Sequence, residues 1–512
     1  MMTTDDVIAL NLSSSLFDPI YEMRDGIPHF KNYINGKWVM FEQFQDLHSP
    51  IDGELLGRTT QPSEEAAIAC LDEVYARGKA NNLNFSGQQR LNTFLKAAEL
   101  IKEHREQFID TLVKTSAKPV SNATGEVDAT IERLEKTSGE YTFLRGDFIP
   151  GDWSKETYQS HGIVKRVPFG IIVTIGPFNY PLFIPSSKII PSILTGNAVI
   201  LKPASVNPVA ALMLTRVLEV AGLPEGVLNT MTIAGRDSAA ILKSRKVNAI
   251  SFTGSTQTGE RIMKTAGIKN YHMELGGKDP AIVLKDADLD LAADKIVQGM
   301  VKYAGQRCDG VKLILAQQPI YKELKSRLLS NLDTIRALNP LEHPEAIMGP
   351  LIEASAADTI EEVYEDAMKK GATALTEFHR NGLYIDPVLL ELDGEKLHDF
   401  QLAEEEIFGP LAVLMSFDTA TEAIELANST RFGLDAAIFG GDDAVIHRLS
   451  NRLDFGAVFV NEYPRHGIGY YPFGGVKDSG IGREGIGYSV NQMTTTKTIV
   501  TNYSGNGVWE EL

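Results

Sequence analysis

Two cysteines occur in 512 residues, Cys70 and Cys308, and their settings differ. Cys308 lies in "YAGQRCDG", Tyr303 to Gly310, directly after Arg307. A free thiol with a pKa of about 8.5 is mostly protonated at neutral pH, so a nucleophilic cysteine needs a nearby cation or a helix N-terminus. Arg307 admits three readings here. It can lower the thiol pKa, hold an anionic substrate, or pair with Asp309 or another loop and support the fold. Cys70 sits among Ala and Leu in "SEEAAIACLDEVYARGKA" and reads as a small, inert, packed residue.

Four further stretches carry groups of chemical interest. "MELGGKDP" sets Glu274 before two glycines, either as a cleft acid or as a solvated loop carboxylate. "PFNYP" sets Asn179 between aromatics and prolines. Its amide can donate to an oxyanion or cap the next helix; on these residues alone capping is favoured. In "SFTGSTQTGERI" a strand ends at Phe252, Gly254-Ser255 turns the chain, and a helix starts. Backbone N–H groups at such a start can bind a phosphate, though glycine is also needed there for the turn itself. "EEEIFGP" (404–410), with Glu406 and Phe408, says nothing alone. No G-x-G-x-x-G follows a predicted strand, and no phosphate-loop or H-E-x-x-H pattern occurs. "DADLD" (286–290) imitates a calcium loop, but Leu291 and Val297 fill its sixth and twelfth positions. It reads as a helix cap, and no metal site is expected.

These residues need elements to position them. "GIIVTIG" (170–176), "NAVILKP" (197–203), "GVLNTMTI" (226–233) and "VNAISFTGS" (247–255) read as buried strands. Helical segments at 181–195, 206–221 and 236–245 separate them. A second alternation runs through "DPAIVL" (279–284), a helix from Asp290 to Tyr303, "VKLILAQ" (311–317), a helix over 320–335, "PLAVLMSF" and "AAIFG". Strands alternating with helices predict an α/β protein with two doubly wound parallel-sheet domains, and ligands bind at the carboxyl ends of such strands. "NYINGKWV" reads as a hairpin at Asn35-Gly36, and 63–115 as helical with Ser63 as an N-cap. Two strand-like segments lie outside both domains: 141–168, turning at Pro150-Gly151, and "TTTKTIVTNY" (494–503). They can pair with each other or with another subunit. The expected division is 1–140 with 166–280 for the cofactor, 281–487 for catalysis, and 141–165 with 488–512 as an antiparallel oligomerisation element.

Bulk composition narrows the partners. The 43% apolar and 23% charged fractions fit a soluble globular protein of more than one domain. A formal charge of −18 disfavours nucleic acid and anionic membranes as general partners. Two cysteines make no disulfide framework and suit a reducing compartment. The acidic N-terminus does not read as a secretory signal, and no stretch is long and apolar enough for a membrane span. A cytoplasmic protein is expected.

Taken in order, Asn179, Lys202, Gly254-Ser255, Glu274, Cys308, Glu406 and Phe408 resemble the signature of the aldehyde dehydrogenase superfamily. The resemblance runs from "NYINGKW" near residue 32 to "PFGGVKDSGIGREG" (472–485) and beyond. It implies that Cys308 is the nucleophile, that Asn179 and the Cys308 backbone N–H stabilise a thiohemiacetal oxyanion, and that Glu274 is the base for thioester hydrolysis. Superfamily members that hand the acyl group to coenzyme A commonly lack that glutamate. The resemblance also implies a nicotinamide cofactor contacted by Lys202, Gly235, Gly254, Ser255, Glu406 and Phe408. Many NAD-preferring members carry a glutamate three positions after the lysine; here it is Ser205. A carboxylate would repel a 2′-phosphate and a serine does not, so NADP is expected, with NAD possible.

For the substrate, Arg307 is within reach of an anionic group a few bonds beyond a carbonyl held on Cys308. Phosphate and carboxylate both suit a guanidinium. Arginine at this place resembles subfamilies acting on glyceraldehyde 3-phosphate and some semialdehyde dehydrogenases. "NEYPRHGIGYYPFGG" adds Arg465, and the C-terminal run is similar to archaeal members of the first group. The implied reaction is NADP-dependent oxidation of D-glyceraldehyde 3-phosphate to 3-phosphoglycerate without inorganic phosphate. The alternatives are a carboxylated semialdehyde such as succinate semialdehyde, or structural reuse of the fold without turnover. The family is usually dimeric or tetrameric, so a homo-oligomer, with a homotetramer as one form, is expected.

Overall fold

The computed structural model describes residues 10–503. Expectations for 1–9 and 504–512, including the end of the proposed oligomerisation element, lie outside those residues. Two large sheets form the frame. The first has eight strands in the order 480–481, 270–274, 249–253, 171–175, 198–202, 228–230, 32–34, 37–39. Its five central strands are parallel. The 171–175 strand, IIVTI, is buried throughout, as a continuous apolar run requires when helices cover both faces. Successive residues of 198–202 point into different cores. Val199 and Leu201 pack with the 183–194 and 209–220 helices, while Ala198 and Ile200 pack with 64–73, 239–243 and 256–266.

The sheet is not wholly parallel. The expected hairpin closes one edge antiparallel, turning through Asn35 (φ 51°) and Gly36 (φ 81°), as the strand twist prefers. At the other edge, Asn270–Glu274 is covered by the antiparallel strand Gly480–Ile481. That short strand returns from the stretch expected to be wholly catalytic. The second sheet also starts at Asp279, two residues before the expected border. The run at 226–233 yields a strand only at Leu228–Thr230.

The second sheet runs 373–374, 388–391, 411–417, 311–317, 279–283, 435–439, 457–460, parallel except for its first pair. Asp288 caps the 289–301 helix by accepting from the backbone N–H groups of Asp290 and Leu291, so the acidic triplet ends in a cap. Ser63 likewise caps the helix at 64–73. The region 63–115 is helical in pieces, with a π turn at Val74–Gly78 and breaks near Ser86 and His104. The two orphan segments pair with each other: Ser160–Pro168 lies antiparallel to Thr494–Asn502, with Asp147–Pro150 outside. A separate four-stranded sheet occupies 21–61.

One buried ion pair ties helices together beneath the site. Lys118 and Glu126 are fully buried and paired. The other Glu126 oxygen accepts from the N–H groups of Leu182 (2.9 Å) and Phe183 (3.1 Å) at the start of the 183–194 helix. Losing the carboxylate leaves a buried ammonium and two orphan amides. Glu126→Ala should therefore lower stability by about 3–5 kcal/mol, read as a reduced urea midpoint. An unchanged midpoint would refute this role.

Candidate active site

The cleft forms where the carboxyl ends of the two sheets meet. The 289–301 helix ends, and the chain reverses through Tyr303 (φ 52°) and Ala304 (φ 53°), left-handed conformations that L residues seldom adopt. Surrounding contacts hold them. The Tyr303 hydroxyl donates to Ser116 O at 2.8 Å, and Lys312 Nζ donates to Gly305 O and Gly409 O. Gln306 Oε1 accepts from Ile352 N at 2.9 Å. The reversal brings Cys308 to a cavity of about 940 Å³ that also receives Asn179, Tyr180, Glu274, Arg307 and Arg465.

Asn179 is buried, and its amide donates to Gln306 O at 3.0 Å. It does not cap the helix, which has no side-chain cap. The second hydrogen of the same amide remains for a ligand. Cys308 is half-buried. Packing around the thiol pushes its pKa well above the usual range; Asp309, Glu406 and Asp279 push it further, and Arg307 opposes them. Of the three readings of Arg307, activation of the thiol is therefore not realised in the resting site.

The reason lies in Arg307. It is 3% exposed, and its Nη2 meets Asp309 Oδ1 at 2.9 Å and Pro464 O at 2.9 Å. The guanidinium also stands 5.5 Å from the Tyr463 ring centre. Burial would lower its pKa, but Asp309, Tyr180 and Tyr463 together outweigh that and raise it. The supporting ion pair is thus real, and it spends most of the arginine's field before it reaches the thiol. Nη1 is buried with no hydrogen-bond partner among the described residues, and Arg307 lines the cavity. Arg465 is exposed at the rim, 3.9 Å from Glu462.

Glu274 ends its strand 3% exposed, a buried acid rather than a solvated loop carboxylate. His272 Nε2 lies 3.1 Å from its Oε1, and Oε2 has no partner among the described residues. Burial, then the Glu484 charge, raise its pKa well above the carboxylate range, against Lys188 and Arg483. Glu484 behaves oppositely. Lys188 at 3.2 Å and His466, whose Nε2 lies 3.6 Å away, overcome its burial and push its pKa well below the usual range, and Ser187 donates to it as well. The pKa values of two neighbouring carboxyls are thus pushed apart, Glu274 upward and Glu484 downward, an arrangement suited to acid–base work.

The expected cofactor residues lie elsewhere along the first sheet. Lys202 ends the 198–202 strand in a narrow slot lined by Val173, Ile175, Ile200, Met231, Ile233, Ser238, Ile241 and Leu242. Burial lowers its pKa to about 8, and it makes no hydrogen bond or ion pair among the described residues. Ser205 follows in a turn, and Gly235 has open space where a Cβ would stand. Gly254 is needed by the fold, since a Cβ there would meet the Phe252 ring at 2.5 Å. Ser255 caps the 256–266 helix through Thr258 N. Glu406 accepts from Gly277 N at 3.3 Å, with its pKa raised to about 7 mainly by burial. Phe408 stands edge-on to Phe178 at 5.6 Å. Of these seven residues, only Lys202 lines either cavity.

Sequence reasoning overlooked His272, Lys188 and Glu484. His272 had a signal: it is two residues before Glu274, hence on the same strand face. Lys188 also had one, as a lone charge in the apolar "IPSSKIIPSIL". Glu484 stands in a glycine-rich loop with no local mark.

The profile of the Aldehyde dehydrogenase family matches residues 38–499. A curated relative, the NADP-dependent glyceraldehyde-3-phosphate dehydrogenase of Streptococcus equinus, is 37% identical over 92% of this chain and 98% of its own. Among solved structures, the NADP-dependent glyceraldehyde-3-phosphate dehydrogenase from Bacillus halodurans, complexed with NADP, superposes with a TM-score of 0.87 at 32% identity. It covers 93% of this chain and 99% of that one. Aldehyde dehydrogenase 21 from Physcomitrella patens, in complex with the reaction product succinate, gives 0.88 at 29% identity, covering 93% and 99%.

The raised thiol pKa has a direct readout. Alkylation of the ligand-free protein by iodoacetamide, followed by intact mass, should give one adduct at Cys308, since Cys70 is buried and its pKa is pushed up to about 12. The rate should still climb above pH 9, because thiolate forms only as pH approaches the raised pKa. A plateau below pH 8 would overturn the assignment.

Proposed function

The chain belongs to the aldehyde dehydrogenase family, and we propose that it oxidises D-glyceraldehyde 3-phosphate irreversibly to 3-phosphoglycerate with NADP, without inorganic phosphate. One observation carries the reading: Cys308, Asn179 and Glu274 share a cavity with a buried arginine whose Nη1 has no partner among the described residues. Arg465 and Lys302 add positive charge along the same cavity, and a phosphate dianion calls for several donors. The naming of the Streptococcus equinus relative supports the same substrate.

The residues take these roles. The Cys308 thiolate adds to the aldehyde carbon, and the Asn179 amide and the Cys308 backbone N–H stabilise the oxyanion. NADP, when bound, supplies the acceptor for the aldehyde hydride. Glu274 then takes a proton from the water that attacks the thioester. Asn179, Cys308 and Glu274 are all in place, which argues against a protein that merely reuses the fold.

The residues present fit NADP. Lys202 is a shielded ammonium without a counter-charge, and Ser205 presents no carboxylate to repel a 2′-phosphate. Lys202, Ser205, Gly235, the Gly254-Ser255 turn, Glu406 and Phe408 would hold it, and NAD remains sterically admissible. A second reading, oxidation of succinate semialdehyde, draws on the single spare nitrogen of Arg307, which suits a monoanion, and on the succinate-bound Physcomitrella patens relative.

We further infer a cytoplasmic homo-oligomer, a dimer or tetramer. The three-stranded sheet leaves Phe148 (66%) and Val500 (64%) exposed, an apolar surface suited to a second copy.

NADPH should form with glyceraldehyde 3-phosphate in phosphate-free buffer. Turnover of succinate semialdehyde alone would transfer the assignment to the second reading. Arg307→Ala should raise KM for the phosphorylated aldehyde about ten- to a hundredfold, and for glyceraldehyde much less. Equal effects would reduce Arg307 to a supporting role. Lys202 is protonated below about pH 8, so NADP affinity should fall as pH rises through that value. Calorimetry with Lys202→Met should find this pH dependence gone; its persistence would exclude Lys202.

A further inference from the structure

We propose that His272 is a positioning residue for hydrolysis: it binds one oxygen of Glu274, favours the ionised carboxylate, and leaves the other oxygen free to take a proton from water. The proposal rests on Cys308 forming a thioester, and not on which aldehyde supplies the acyl group.

The geometry is that of a row across the first sheet. His272 and Glu274 are two apart on the strand Asn270–Glu274, so their side chains share a face. Nε2 lies 3.1 Å from Glu274 Oε1. On the ring's other side, Nδ1 lies 3.0 Å from the Ser251 hydroxyl, and Ser251 is the register partner of His272 on the neighbouring strand. The imidazole is 2% exposed and held at both nitrogens.

The ring stays neutral in use. Burial first, then Lys188 and His466, lower its pKa to about 3 against the opposing pull of Glu484. A neutral imidazole has one N–H and one acceptor nitrogen. A serine hydroxyl can donate or accept, so Ser251 serves either tautomer. When Glu274 is ionised, the Ser251 O–H donates to Nδ1 and Nε2–H donates to Oε1. Oε2 then has no partner among the described residues. In the hydrolytic step, water oxygen bonds to the acyl carbon and one water proton passes to Oε2. The carbon–sulfur bond breaks with its electron pair on Sγ, and the free acid departs.

Other groups bear on Glu274 from each packed element. Lys188 acts from the 183–194 helix, Arg483, Glu484 and His466 from the 461–488 segment, and Asp435 from the 435–439 strand. Glu484 and Asp435 disfavour the ionised form, while Lys188 and Arg483 favour it. His272 is the group that touches the carboxylate directly.

The test separates hydrolysis from acylation and needs no cofactor. Wild type, His272→Leu and His272→Gln are acylated at Cys308 with p-nitrophenyl acetate. Loss of the acetyl group is then followed by intact mass across pH. All three should acylate. His272→Leu should deacylate about ten- to a hundredfold more slowly. Removing a donor to the charged form raises the Glu274 pKa, so its lower pH limb should move upward by about one to two units. His272→Gln, with an amide N–H for Oε1, should recover most of the rate. Wild-type deacylation with an unmoved limb in His272→Leu would overturn the proposal, as would His272→Gln as slow as His272→Leu. Failure of wild type to acylate would instead overturn the thioester reading beneath it.

Discussion

The site hangs on one short piece of backbone, residues 275–278. Glu274 ends the last parallel strand of the first sheet, and Asp279 begins a central strand of the second. Every residue of the link is pinned. Leu275 N donates to Ser479 O at 2.9 Å, Gly276 N to Thr256 Oγ1 at 3.3 Å, and Gly277 N to Glu406 Oε1 at 3.3 Å. Lys278 Nζ donates to the carbonyls of Leu402 and Glu405. A Cβ on Gly277 would strike the carbonyl of Cys308, so the glycine permits the Glu274 strand and the Cys308 loop to approach closely. Catalytic groups displaced by about an ångström lose much of their rate, and this link sets their separation.

The charges around the cleft follow from that close approach. Bringing two sheets together buries ionisable groups, and buried charge is tolerated when paired. Arg307 pairs with Asp309, Lys188 with Glu484, and Lys118 with Glu126. With the cations already matched, the pKa values of Cys308 and Glu274 are both raised above their usual ranges. A protonated thiol is a poor target for oxidants and stray electrophiles, so the resting arrangement shelters the one cysteine that faces the cleft.

The frame was legible because its strands are long apolar runs and its helices carry caps. Cys308, Glu274 and Asn179 were legible as an ordered set, and the structure brings them to one cavity. Two features were not. Whether Arg307 faced a ligand or a neighbour depended on where Asp309 and Pro464 fall, and Pro464 arrives from 157 residues away. The protonation of Cys308 depended on packing density, which local composition does not encode. The antiparallel cover of Asn270–Glu274 was hidden for a similar reason: Gly480–Ile481 is two residues long and has no strand signature of its own.

That short strand has a consequence in time. Chains emerge from the ribosome N-terminus first, and Asn270–Glu274 gains its outer neighbour only when 480–481 has been made. At about 5–20 residues per second, the strand that ends in Glu274 waits roughly 10–40 seconds with an open edge. An unpaired edge strand is a template for the wrong neighbour. The nascent protein is thus open to misassociation at the strand that carries Glu274, and this side of the cleft is closed late.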